Sequence, residues 1–298
     1  MRAQLQVDAR NALGEGVLWC ERTQRVFWTD IMASTLWCHH PATSATRRWA
    51  LPERLGSFAF TPDENRLLLG LAKRLAFFDL ASGELDTVCR VEPELPTTRV
   101  NDGRCDRQGR FVFGTMNEAP DLAPLGSFYR LNPDLSLQRL GLPQAAIANS
   151  IAFSLDGATM YFCDSPTRTI CCCDYDAESG AVSKLRRFAD LRDSGPKRFP
   201  DGSIVDAQGH LWNAEWRGHR VVRYTPQGAV ERVVEVPVTQ PSCLAFGGAA
   251  LDELFITSAR VEMSDAALAG EPQAGGLFHA VVSGVSGLVA ERFPRSRR

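Results

Sequence analysis

Three residues far apart in the chain carry the side chains that a hard divalent ion needs: Glu15, Asn149 and Asp201. Two carboxylates and an amide carbonyl are oxygen donors, the chemistry preferred by calcium, magnesium or manganese. Without an ion, two carboxylates facing each other would repel, and one would hold a proton. Arg99 and Asn101 stand two residues apart, so on an extended segment both side chains point the same way. Together they can donate several hydrogen bonds to an oxygen-rich ligand. Glu118, just after Gly114-Thr115-Met116-Asn117, leaves the second strand of the same unit and is a further candidate at that mouth. The competing readings are plain ones: turn caps for the first three, an inter-blade pair for Arg99, and a solvated loop residue for Glu118.

A repeat is what brings such distant residues together. Strong helix signals are absent. Short runs rich in Val, Ile, Phe, Trp and Thr alternate with Gly, Pro, Asp and Asn, the signature of many short strands. In one unit Arg104-Cys105-Asp106, a turn at Gln108-Gly109 and Phe111-Val112-Phe113 follow one another. In another, Ile204-Val205, a turn at Gln208-Gly209 and Leu211-Trp212 do the same. Six such units of roughly 40–50 residues predict an all-β fold, a six-bladed β-propeller, formed as a single domain over residues 1–298. Residues 4–9 alternate like a strand and suit the outer strand of the last blade. The position just ahead of each inner strand is Glu15, Leu55, Asn101, Asn149, Asp201 and about Gln240. Inner strands of a propeller run the same way along its central channel, so these positions fall on one ring at one end. Residues 188–197 and 262–273 are the longest irregular stretches and are candidate loops over one face.

Composition narrows the class. The 33 basic and 35 acidic residues nearly balance, and no basic stripe marks a nucleic-acid surface. Residues 292–298 are basic and read as a frayed tail. The N-terminus lacks the apolar core of a signal peptide, and no apolar run is long enough to span a membrane. Nine cysteines without a spaced framework fit a reducing cytoplasm. Cys171-Cys172-Cys173 alternate faces if extended, so they read as small strand residues and not as a metal site. There is no G-x-S-x-G elbow, H-E-x-x-H, P-loop or dinucleotide-binding glycine pattern. His39-His40 reads as a solvated turn before Pro41.

Five strings carry a resemblance: Leu13-Gly14-Glu15-Gly16 with Trp19, Arg99-Val100-Asn101-Asp102-Gly103, Gly114-Thr115-Met116, Asn149-Ser150-Ile151-Ala152-Phe153-Ser154 and Pro200-Asp201-Gly202-Ser203. In this order they resemble the SMP-30/gluconolactonase family of sugar lactonases over nearly the whole chain. The resemblance implies a six-bladed propeller and one divalent metal ion (calcium, zinc, manganese, magnesium or iron) on Glu15, Asn149 and Asp201. It implies Arg99 and Asn101 as substrate-binding residues. The family's glutamate after the G-T-M motif stands slightly later than Glu118, which is kept as a further substrate-binding candidate, and Asp201 is expected to act also as the catalytic base. The implied reaction is hydrolysis of an aldonolactone such as arabinono-, xylono-, galactono- or gluconolactone. The implied partner is therefore a small sugar lactone. Composition adds the expectation of a cytoplasmic protein with no nucleic-acid or membrane partner, and a monomer is the default. Two other readings use the same ring: a non-catalytic metal- or ligand-binding propeller, and an esterase or phosphotriesterase.

Overall fold

The computed structural model describes residues 1–192 and 197–294. Nearly all of it is strand, gathered into six four-stranded antiparallel sheets. The inner strands are Gly14–Cys20, Leu55–Phe60, Thr98–Cys105, Ala148–Phe153, Phe199–Val205 and Pro241–Gly247. Each inner strand touches the next, and the last touches the first, so the sheets close into a six-bladed β-propeller around a central channel. The sixth sheet takes its outer strand, Gln4–Val7, from the N-terminus, with Gln4 opposite His279 and Leu5 opposite Phe278.

Burial explains the strand sequences. Leu55–Phe60 and Ala148–Phe153 are buried along their whole length, because blades press on both of their faces. Such strands read as continuous runs of small and apolar residues. The outer strand Ala45–Ala50 is almost entirely exposed. The core lies between neighbouring blades. Trp212 of the fifth blade, for instance, meets Phe246 of the sixth edge-on, with ring centroids 5.5 Å apart. The turns that end the inner strands repeat one device. Asp106 and Asp206 are fully buried and accept backbone N–H groups from Gln108 and Arg110, and from Gln208 and His210. Gly109 and Gly209 then take φ of 80° and 78°, where a side chain would be strained.

Four expectations need correction or limits. Residues 262–273 are not irregular throughout: Asp265–Gly270 is a short helix whose cap, Ser264 Oγ, accepts the Ala267 N–H at 3.2 Å. Residues 188–190 extend the strand Val182–Asp190, and 193–196 lie outside the described residues. The start of the basic tail is docked. Phe293 is fully buried near Phe77 and Arg292 donates to Thr61 O at 3.0 Å, while 295–298 lie outside the described residues. His39 is buried, because its strand continues to His40 and its Nδ1 meets Thr46 Oγ1 at 2.8 Å. Cys171–Cys173 sit on the strand Thr169–Tyr175, and all nine cysteines are unpaired. Among the described residues, no helix is long and apolar enough to cross a membrane.

Candidate active site

Each of the six inner strands slips register once against its neighbour, and the polar ring residues stand at those slips. The shifts fall between Glu15 and Leu18, Val100 and Gly103, Asn149 and Ala152, and Pro200 and Ser203, with counterparts after Leu55 and Pro241. A bulge frees residues from the ladder and re-aims their side chains. The local sequence permits it. Gly16 and Ser150 take φ of 59° and 60°, and a Cβ on Gly202 would lie 2.7 Å from Cys243 Sγ. The candidate residues therefore lie inside the inner strands and not just ahead of them.

Glu15 and Asp201 meet directly. Their carboxyls share a hydrogen bond. Burial, then the charge of Asp102, pushes Glu15 up to about 8, although the Gly16 N–H at 3.1 Å and Arg99 pull the other way. Burial, then Glu15 and Asp102, raises Asp201 well above the usual carboxylate range. Two poorly solvated carboxyls in contact cannot both ionise cheaply without a cation between them. The backbone around Asp201 is clamped from the fourth blade and from the next strand of its own. Its carbonyl accepts Ser150 Oγ at 2.6 Å and Asn213 Nδ2 at 2.9 Å, and Ser165 Oγ holds the carbonyl of Pro200 at 2.7 Å.

Arg99, Asn101 and Asn149 form one hydrogen-bonded line. Arg99 Nη1 donates to Asn101 Oδ1 at 2.7 Å, and Asn101 Nδ2 donates to Asn149 Oδ1 at 2.9 Å. Asn149 Nδ2 donates in turn to Ser165 Oγ at 2.9 Å. This order fixes both amides, and a carbonyl oxygen that accepts one hydrogen bond keeps a second lone pair. Arg99 is 4% exposed, and its Nη2 takes no hydrogen-bond partner among the described residues. Glu118 stands at the rim and joins the line, accepting Arg99 Nε at 2.9 Å on Oε1.

Among the described residues, no three His, Cys, Asp or Glu side chains gather so as to hold an ion by themselves. The set at hand is instead two carboxyls and an amide oxygen. Glu15 and Asp201 in contact, with the free lone pair of Asn149 Oδ1 in the same ring, give an all-oxygen donor set that suits a hard divalent cation.

Two residues of this cluster escape sequence reasoning. Asp102 follows Asn101, and strict alternation would send it to the other face. The bulge instead brings it within electrostatic reach of both Glu15 and Asp201, its Oδ2 accepting the Ile151 N–H at 2.8 Å. Arg54 pairs with Glu118 from the second blade, where the ring position itself is the apolar Leu55. No motif marks it.

The comparisons with known proteins converge on one group. A family model described as the SMP-30/Gluconolactonase/LRE-like region matches residues 13–260. An L-arabinolactonase of Azospirillum brasilense is 52% identical over 298 residues, covering 100% of this chain and 97% of that protein. A 6-deoxy-6-sulfogluconolactonase of Pseudomonas putida is 33% identical, with 90% of each chain covered. Among solved structures, a regucalcin of Agrobacterium tumefaciens, described as a calcium-binding protein, superposes with a TM-score of 0.91 at 31% identity. That match covers 99% of this chain and 97% of the other.

Proposed function

We propose that this chain, which belongs to the SMP-30/gluconolactonase/LRE-like family, is a sugar lactonase that opens an aldonolactone to the aldonic acid. The 52% identical relative is an L-arabinolactonase, which makes L-arabinolactone the first substrate to expect here. The observation that carries the reading is the contact between half-buried Glu15 and buried Asp201, with the Asn149 amide oxygen and the open Arg99 Nη2 in the same cluster.

Glu15, Asn149 and Asp201 would hold one divalent ion. When bound, it would supply a Lewis acid that polarises the lactone carbonyl and stabilises charge on its oxygen. Asp201 is pre-positioned by Ser150 and Asn213 and accepts the proton of the attacking water. The water oxygen bonds to the carbonyl carbon, the ring C–O bond breaks, and the proton passes to the departing ring oxygen as the hydroxyl forms. Arg99 and Asn101 orient the sugar hydroxyls, which supplies the positioning part of the rate gain. Glu118 accepts a hydroxyl hydrogen bond at the rim. The nine unpaired cysteines fit a cytoplasmic setting.

One observation favours a second reading: the regucalcin neighbour is described as calcium-binding. A binding propeller would use the same ring without turnover. Acid release from pentonolactones, hexonolactones, an aryl ester and an organophosphate separates the possibilities. The expected result is turnover of lactones well above the spontaneous rate, fastest on L-arabinolactone. Turnover of the ester or phosphotriester alone would point to the esterase class, and saturable binding with no product would point to a binding protein.

A further inference from the structure

Arg54 lies immediately before the inner strand of the second blade, and its guanidinium grips Glu118 with both prongs. Nη1 donates to Oε1 and Nη2 to Oε2, each at 2.6 Å. Arg99 Nε adds a third donor to Oε1 at 2.9 Å. Two parallel N–H···O bonds between Arg and carboxylate fix geometry as well as charge. They also settle the protonation state. Burial tends to raise Glu118, but the bonds and charges of Arg54 and Arg99 outweigh it, leaving the carboxyl below its usual range.

Lone-pair counting then restricts what Glu118 can do. An ionised carboxylate has about four acceptor positions, two on each oxygen, and no donor. Oε1 is filled by Arg54 and Arg99, and Oε2 is half filled by Arg54. One acceptor position remains, on Oε2. Arg54 itself keeps 31% of its side chain exposed, and its bonds to Glu118 use only one N–H on each Nη and leave Nε–H unused on that partner. The pair thus offers one acceptor on Glu118 and further donors on Arg54, groups that suit a hydroxyl able to donate once and accept once.

We propose that Arg54 is a positioning and specificity-determining residue: it holds Glu118 so that a single oxygen reads a hydroxyl group on the substrate. This rests on the lactonase reading above. The assignment predicts that Arg54 selects hydroxylated lactones over bare ones and has little part in breaking the ring bond. It also predicts that lysine cannot replace it, because an ammonium cannot make the fork.

The test compares L-arabinolactone with unsubstituted γ-butyrolactone on wild-type, Arg54→Met and Arg54→Lys proteins. A ratio of the two kcat/KM values is unaffected by any fraction of misfolded variant, since both substrates lose equally. The expected result is a fall in the hydroxylated-to-bare ratio of about tenfold or more in both variants, arising mainly from KM, as loss of a charge-assisted contact would give. An unchanged ratio in Arg54→Met overturns the inference while leaving the lactonase reading intact. A Lys variant with the wild-type ratio also overturns it, because charge alone would then suffice. Absence of turnover by the wild-type protein on both lactones overturns the lactonase reading, and this inference with it.

Discussion

Asp201→Asn is expected to lower kcat/KM for the sugar lactone by about 10²–10⁴-fold, the range for losing a positioned general base. The substitution is nearly isosteric, and what anchors this part of the strand is untouched. Ser150 and Asn213 bind the backbone carbonyl of residue 201 and not its side chain. The loss should therefore be chemical. The same change removes one carboxyl from a crowded group in which Glu15, Asp102 and Asp201 disfavour one another's charge. The metal-free variant is accordingly expected to melt at a higher temperature than the metal-free wild type. A protein that gains stability while losing turnover is the pattern of a site strained for function. Near-normal turnover from a cooperatively folded Asp201→Asn protein would remove Asp201 from the chemistry.

Stability should also depend on pH in an unusual direction. Glu15 is held up to about 8 in the folded protein, against 4.5 when unperturbed, and Asp201 is raised too. Between those values the folded chain binds more protons than the unfolded one, so unfolding free energy falls as pH rises. The contribution is fully present below about 4.5 and is lost on passing through about 8. Each such group costs at most about 1.4 kcal/mol per pH unit across that window. Metal-free protein is therefore expected to lose stability steadily from about pH 5 to pH 8, an opposite trend to that of ordinary salt-bridged carboxylates. A saturating divalent ion should abolish or reverse the slope, since binding requires the ionised carboxylates and releases protons. Denaturant titrations at several pH values, with chelator and with ion, check this. Equal slopes in the two conditions would separate Glu15 and Asp201 from the ion.

The architecture was legible because a propeller repeats. Six recurrences of strand, tight turn and strand point to six sheets, and equivalent positions in a closed ring must come together whatever their distance in sequence. That is why Glu15, Asn149 and Asp201 could be aligned before any coordinates. Asp102 was not legible, because period-two alternation places it opposite Asn101. Only the register slip between Val100 and Gly103 lets both side chains serve one cluster. Arg54 was hidden for another reason. Its partner lies 64 residues away in the next blade, and a long side chain reaches across without any motif at its own position. The helix Asp265–Gly270 and the buried Phe293 failed on local grounds. One is a single short element with a serine cap inside a polar stretch. The other is one aromatic residue in a basic tail, where composition outweighed the possibility of docking.

The most direct test of metal-assisted lactone opening is acid release from L-arabinolactone by chelator-stripped protein, before and after each divalent ion is restored. Turnover is expected to vanish on stripping and to return with one ion, at a stoichiometry of about one per chain as a single ring of oxygen donors requires. Stripped protein that hydrolyses the lactone at its original rate would contradict the metal role of Glu15, Asn149 and Asp201. Tight ion binding with no product above the spontaneous rate would contradict the lactonase itself.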